Sequence, residues 1–237
     1  MNNTDEQYQA ERAKTEARFT PDRAGTSGEP KASPSGRYRL VVTPYDQGKP
    51  YWGYTQGDIY RGNELVFSVQ RNHDSFPFAW IEDHPDGHDY MVTGEDYQGY
   101  TILQLDTGDR WDHFPEGGHK GHGWCFVVQH PSPDRTMLAV EGCYWACPYE
   151  TRIYDFSQPL GPLSLIADLD SPDFLGWIDE VSCKIGMCSD WCIPLGKWEH
   201  ELTPEEQDKY IMNLPDDEYD AVWEDGKEMR SVIWTRP

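Results

Sequence analysis

The chain repeats itself at a spacing of 46 residues: Gly53-Tyr54-Thr55 returns as Gly99-Tyr100-Thr101, and His84-Pro85 returns as His130-Pro131. Self-similarity at a period of about 20–50 residues marks a supersecondary unit that is used more than once and buries its apolar face against its neighbours. The local pattern says which kind of unit. Between Arg37 and about Asp170 the apolar residues come in short runs broken by Gly, Pro, Asp and Asn, the signature of an antiparallel β meander rather than of helix pairs.

Three units follow from those breaks. The second has strands PFAWIED, DYMVTGE, YTILQLD and DRWDHF, separated by HPDGH, DYQG and TGD. The third has GWCFVVQH, TMLAVEG, TRIYDF and LSLIADL, separated by PSPDR, CYWACPYE and SQPLGP. The first offers only RYRLVVTPY, GDIYR and ELVFSVQ, and so lacks its leading strand. Asp86-Gly87 and Gly108-Asp109 supply turn residues that tolerate left-handed backbone angles.

Through HPSPD…MLAVEG…TRIYDF the chain resembles β-propeller proteins of the WD-repeat and TolB-like kind over residues 37–169. Leu105-Asp106 and Tyr154-Asp155 stand where a Trp-Asp dipeptide would close the third strand of a blade. The resemblance implies an all-β, propeller-like meander of about three blades, and it brings no functional residues with it. Propellers typically use about four to eight blades, so residues 170–237 are expected to add a partial one. A strand such as Arg230–Thr235 is expected to complete the first unit.

The flanks read differently. Residues 4–18 carry Asp5 and Glu6 early and Lys14 and Arg18 late, the charge order a helix prefers, yet they have almost no apolar stripe, so the helix frays or docks on something else. Residues 21–35 have the composition of a flexible linker. This divides the chain into an N-terminal segment (1–36), the repeated strands (37–169) and an acidic C-terminal region (170–237). Within the last, FLGWIDEVSCKI reads as one or two strands, LTPEEQDKYIMNL as a short helix with Pro204 in its first turn, and DAVW with MRSVIWT as a hairpin cornered at Asp225-Gly226.

Composition narrows the function classes. Aromatic residues reach 14% of the chain, too many large rings for a disordered polymer. With 42 acidic against 20 basic residues the net charge is −22, which disfavours phosphate backbones and anionic lipid and favours basic partners. No run of apolar residues is long enough to span a bilayer and the first twenty residues lack an apolar core, so a cytoplasmic protein with reduced thiols is the expectation.

Four constellations compete for a chemical role. Cys143 and Cys147, with Cys188 and Cys192, form two C-x3-C pairs that would suit a zinc ion, set against a disulfide or plain buried thiols. His113, His119 and His122 lie in a Gly-rich loop, near His84 and His130, and offer metal ligands or a general base. The pairs Glu82-Asp83 and Glu95-Asp96 offer carboxylates for acid–base work or Ca²⁺. Finally, Glu201–Glu228 carries eleven acids and two lysines, and Tyr210, Asp216, Asp217, Glu218, Tyr219 and Trp223 compose an acidic, aromatic surface suited to a basic protein. No P-loop, G-x-S-x-G, G-x-G-x-x-G or H-E-x-x-H motif is present. The sequence therefore reads as a non-catalytic interaction module without a resident cofactor. The alternatives are a metal-dependent enzyme built on the His and Cys loops, and a nucleic-acid mimic that fills a basic groove.

Overall fold

The computed structural model describes residues 6–49, 52–115, 118, 123–145, 147–169, 173–215 and 218–237. Those residues are mostly β, in four small antiparallel sheets of four strands each. A short helix, α1 (Glu6–Glu16), precedes them. Sheet 1 holds β1 (Lys31–Ala32), β2 (Tyr38–Tyr45), β3 (Tyr54–Arg61) and β4 (Glu64–Arg71) in sequence order. Sheet 2 holds β5 (Ala79–Ile81), β6 (Tyr90–Thr93), β7 (Tyr100–Gln104) and β8 (Arg110–His113), and sheet 3 holds β9 (Trp124–Pro131), β10 (Met137–Tyr144), β11 (Glu150–Asp155) and β12 (Ser164–Leu169). In sheet 4, β13 (Asp173–Trp177) and the long β16 (Trp223–Thr235) flank β14 (Ser182–Cys192), which also pairs β15 (Lys197–Trp198).

Successive side chains on a strand point to opposite faces, and here both faces of the middle sheets are buried. Met91 and Leu103 of sheet 2 pack with Leu40, Ile59 and Val69 of sheet 1, whereas their neighbours Tyr90, Val92 and Ile102 pack with Phe126, Leu138 and Val140 of sheet 3. On the far side of β10, Met137 and Ala139 pack with Cys183 and Ile185 of sheet 4. This is why YMV, YTIL and MLAV are nearly continuous apolar runs, since a strand buried on both faces loses its polar alternation.

One turn recurs in the first three sheets. In Ser33-Pro34-Ser35-Gly36, His84-Pro85-Asp86-Gly87 and Ser132-Pro133-Asp134-Arg135, the fourth residue donates its N–H to the first carbonyl at 2.9, 2.8 and 2.9 Å, and φ there is +76°, +92° and +67°. Glycine adopts that angle freely. Arg135 adopts it in a turn braced by Asp134, which accepts bonds from Ser132 Oγ, Thr136 N and Thr136 Oγ1 at 2.6, 3.1 and 2.7 Å. Although burial pushes the Asp134 carboxyl up, these bonds hold it below the usual carboxylate range. A depressed carboxyl stabilises the fold above its unfolded pKa and stops doing so as pH falls through its folded one. Asp134→Asn should therefore lower the melting temperature at pH 7, and the gap from wild type should close as the pH is lowered below 4. A gap that stays constant across that range would contradict the assignment.

The structure corrects four expectations. The partner of His84-Pro85 is Ser132-Pro133, not His130-Pro131, which ends β9; only the Gly-Tyr-Thr copies are equivalent, each leading into the third strand of its sheet. The leading strand of the first unit is β1, from the segment composed like a linker, and Gly25 and Gly28 donate their N–H groups to Pro44 and Val42. The C-terminal strand pairs β14 instead, from Ser182↔Thr235 to Cys192↔Trp223. The expected hairpin at Asp225-Gly226 is an irregularity inside β16, where the register jumps from Ser189↔Glu228 to Trp191↔Glu224; glycine within a strand marks a bulge as readily as a corner. DAVW supplies the short helix α3 (Tyr219–Val222) before β16 starts at Trp223, while α2 (Pro204–Gln207) begins at Pro204 under a Thr203 cap. Deleting residues 229–237 should speed amide exchange in β14 and leave β6 and β7 protected, because only sheet 4 loses a partner; unchanged exchange in β14 would contradict that pairing.

Candidate functional site

The loops that join second to third strands bring side chains of sheets 1, 2 and 3 to one place. Trp52 comes from the β2–β3 loop, Tyr97 from β6–β7 and Trp145 from β10–β11, and their ring centroids lie 5.5–6.0 Å apart. His73, which follows β4, joins them at 5.9 Å from Trp52. Burial, and then the charge of Arg71, hold the His73 ring below the usual imidazole range, so it is neutral at pH 7. Trp52 and Trp145 are 44% and 50% exposed. Rings this open form a rim rather than a core.

Tyr97 of this cluster also lines a cleft of about 470 Å³, floored by the turn Gly94–Gly99. Asn72 holds that turn from sheet 1: its Nδ2–H donates to Asp96 at 2.7 Å, and its Oδ1 accepts from Tyr97 N at 3.0 Å. Gly94 keeps the turn tight, since a Cβ there would meet the end of the Arg71 side chain at 2.8 Å and the Asp96 and Gly99 carbonyls at 3.1 Å. Within the turn, Glu95 takes hydrogen bonds from Tyr8 Oη and from Arg110. Arg110 Nε also binds both oxygens of Asp112 at 2.8 and 2.9 Å, and Thr101 Oγ1 donates to Asp112 at 2.9 Å.

The far wall of the cleft is α1. Its Arg12 guanidinium lies between two carboxylates, 3.3 Å from Glu95 and 3.5 Å from Asp112, and its Tyr8 ring stacks on Phe114 at 4.6 Å. Burial, and next the charge of Asp112, keep the Glu95 carboxyl above the usual carboxylate range in spite of Arg110 and Arg12. Burial does the same to Asp96. Carboxylates desolvated to this degree gain from any cation brought among them. The arrangement is suited to seating positive charge beside aromatic surface.

The residues singled out in the sequence fall in several places. Of the carboxylate pairs, Glu95-Asp96 floors this cleft, whereas Glu82 sits at the opposite end of sheet 2, accepting from Ser33, Ser35 and Arg37. Cys143 pairs Cys125 across β9 and β10, where burial pushes the Cys125 thiol up to about 12 and raises that of Cys143. Cys147 is exposed, and Cys192 lies in a separate cluster with Leu202, Val222 and Trp223. Of Cys188 only the backbone, in β14, is described. Among the described residues no three His, Cys, Asp or Glu side chains converge as metal ligands would. His113 stacks on Tyr100 at 4.6 Å, and His119 and His122 lie outside the described residues.

Of the acidic surface, Glu218 is exposed, Asp216 and Asp217 lie outside the described residues, and only the backbone of Tyr219 is described. Trp223 is not an exposed anchor: it is buried, and its indole N–H donates to the Tyr210 carbonyl at 3.0 Å while Tyr210 packs against the same cluster. Sequence reasoning missed Tyr8, Arg12, Arg110 and Asp112. The i, i+4 spacing of Tyr8 and Arg12 on one helix face is the signal that was available.

No protein-family model matches the chain. It is 32% identical over 143 residues to an uncharacterized protein of Acanthamoeba polyphaga mimivirus, an alignment that covers 60% of this chain and 55% of that protein. The chain thus spans about half the length of the relative it matches. Among the described residues, no helix is long and apolar enough to cross a membrane.

Proposed function

We propose that the chain is a non-catalytic interaction module, built of propeller-like blades, whose acidic cleft binds a segment of a basic protein. The observation that carries this reading is a guanidinium already seated between Glu95 and Asp112. Tyr97, which belongs both to the cleft lining and to the exposed ring cluster, adds to it, since a cation over a Trp or Tyr face gains about 0.5–2 kcal/mol. A net charge of −22 steers positive partners inward, and the exposed Glu201, Glu205, Asp208 and Glu218 of the C-terminal region add to that field. The propeller-like arrangement is supported by cores that join each sheet to the next and by equivalent loops that gather at one end of three sheets, where scaffolds of this kind carry their binding residues.

Titration with nonaarginine tests the reading. Binding should weaken steeply with salt, and Glu95→Gln with Asp112→Asn should weaken it at least tenfold. Glu205→Gln with Glu218→Gln, which removes the same charge elsewhere, should leave affinity within about twofold. Equal losses from the two pairs would mean diffuse attraction and no cleft.

A further inference from the structure

We infer that α1 is an internal stand-in for the ligand of this cleft, and that a basic segment bearing an aromatic ring one helical turn before an arginine displaces it. The inference rests on the cleft's role as a basic-segment site and adds the form of the ligand and the competitor it must remove.

Five α1 residues line the cleft: Tyr8, Glu11, Arg12, Thr15 and Glu16. The spacing i, i+3, i+4, i+7, i+8 is that of one helix face. It is a polar face. Two of its side chains reach the cleft wall: Tyr8, whose ring stacks on Phe114 and whose hydroxyl donates to Glu95, and Arg12, whose guanidinium lies between Glu95 and Asp112. An isolated helix of eleven residues is marginal in water, so α1 keeps its form through this docking.

The fit is also imperfect. Glu11 and Glu16 share the docked face, where Glu16 accepts from Arg12 Nε at 3.0 Å and Glu11 from Lys14 at 2.6 Å, so the anchor guanidinium is divided between the helix's own carboxylate and those of the cleft. Tethering compensates, because an attached segment acts at an effective concentration in the millimolar range. The tether is anchored independently of α1: Phe19 packs on Tyr45 and Tyr54 at 4.8 and 5.7 Å, and from Ala24 onward the chain pairs alongside β2. Helix α1 can therefore leave by a pivot near residues 17–18 without unzipping sheet 1. A separate segment that keeps the two anchors and lacks the two glutamates binds the same cleft better per contact, and that difference drives the exchange.

The probe is a labelled peptide of residues 6–16 in which Glu11 and Glu16 are replaced by Gln, followed by fluorescence anisotropy against full-length protein. Tyr8→Ala with Arg12→Ala should bind it at least tenfold more tightly than wild type does. Adding Glu95→Gln should abolish that gain, and a probe with Arg12 also replaced by Gln should bind neither protein. Equal affinity for wild type and the double variant, with loss on Glu95→Gln, would overturn the stand-in and leave the cleft's role intact; absence of binding to either protein would overturn both. Because variants can fold poorly, amide exchange on the wild type supplies a second reading. Saturating probe should deprotect residues 6–16 while β6 and β7 stay protected, and undiminished protection of 6–16 in the probe-bound protein would overturn the inference.

Discussion

Phe156→Ala is expected to lower the unfolding free energy by about 3–5 kcal/mol, the usual cost of emptying a fully buried aromatic site. Phe156 is completely buried; its ring and carbonyl tie sheet 3 to sheet 2, and its N–H holds it within sheet 3. Its ring meets the His84 and Tyr90 rings edge to face, at 5.9 and 6.1 Å; its carbonyl accepts from His84 Nε2 at 3.0 Å; and its N–H donates to the Thr136 carbonyl at 2.8 Å, closing the start of the β10–β11 pair. The His84 imidazole therefore bridges the two sheets through its Nε2–H. Losing the ring takes away packing on both sheets at once, so denaturant unfolding should also broaden. A loss below about 1 kcal/mol would mean that the sheets do not depend on this junction.

Gly142→Val should be damaging for the opposite reason. A Cβ at this position would lie 2.1 Å from the Cys125 carbonyl oxygen and 2.7 Å from the Trp124 ring, because the β9–β10 ladder shifts register at Glu141/Gly142 and brings the two backbones close. Neither neighbour can retreat easily, since Trp124 belongs to the core shared by sheets 2 and 3. Overpacking typically costs about 1–3 kcal/mol and at times more, and this site should reach or exceed the top of that range. Gly161→Ala is the control, with nothing within 4 Å of its Cβ position. Similar melting temperatures for the two variants would contradict the close approach.

What could be read in the sequence follows from where the burial lies. Strands of sheets 2 and 3 announced themselves because both faces are apolar and their turns carry Pro, Asp and Gly at fixed offsets. Lys31–Ala32 did not, since a two-residue exposed strand has neither run length nor pattern and sits among linker-like residues. The long β16 was obscured by Asp225-Gly226, whose dipeptide is common to hairpin corners and to strand irregularities, and only the pairing with β14 decides between them.

The site was hidden for a related reason. Glu95-Asp96 stood out as a pair but no more than Glu82-Asp83, and nothing local separates a carboxylate that seats a guanidinium from one that braces a turn. Helix α1 lacked an apolar stripe, which pointed toward a frayed segment; its docking face is polar, and polar docking leaves no periodic trace. The rings Trp52, Tyr97 and Trp145 are some 45 residues apart in sequence and meet only because consecutive sheets stack.

The central claim is that basic segments dock at the cleft beside Glu95 and not at the acidic C-terminal region. Photo-crosslinking of an arginine-rich peptide to the full chain, mapped by mass spectrometry, tests it most directly. Crosslinks should fall on Trp52, Tyr97, Trp145 and the neighbouring residues of 94–98, and should fade when Glu95 is replaced by Gln; crosslinks confined to residues 199–218 and indifferent to that substitution would contradict it.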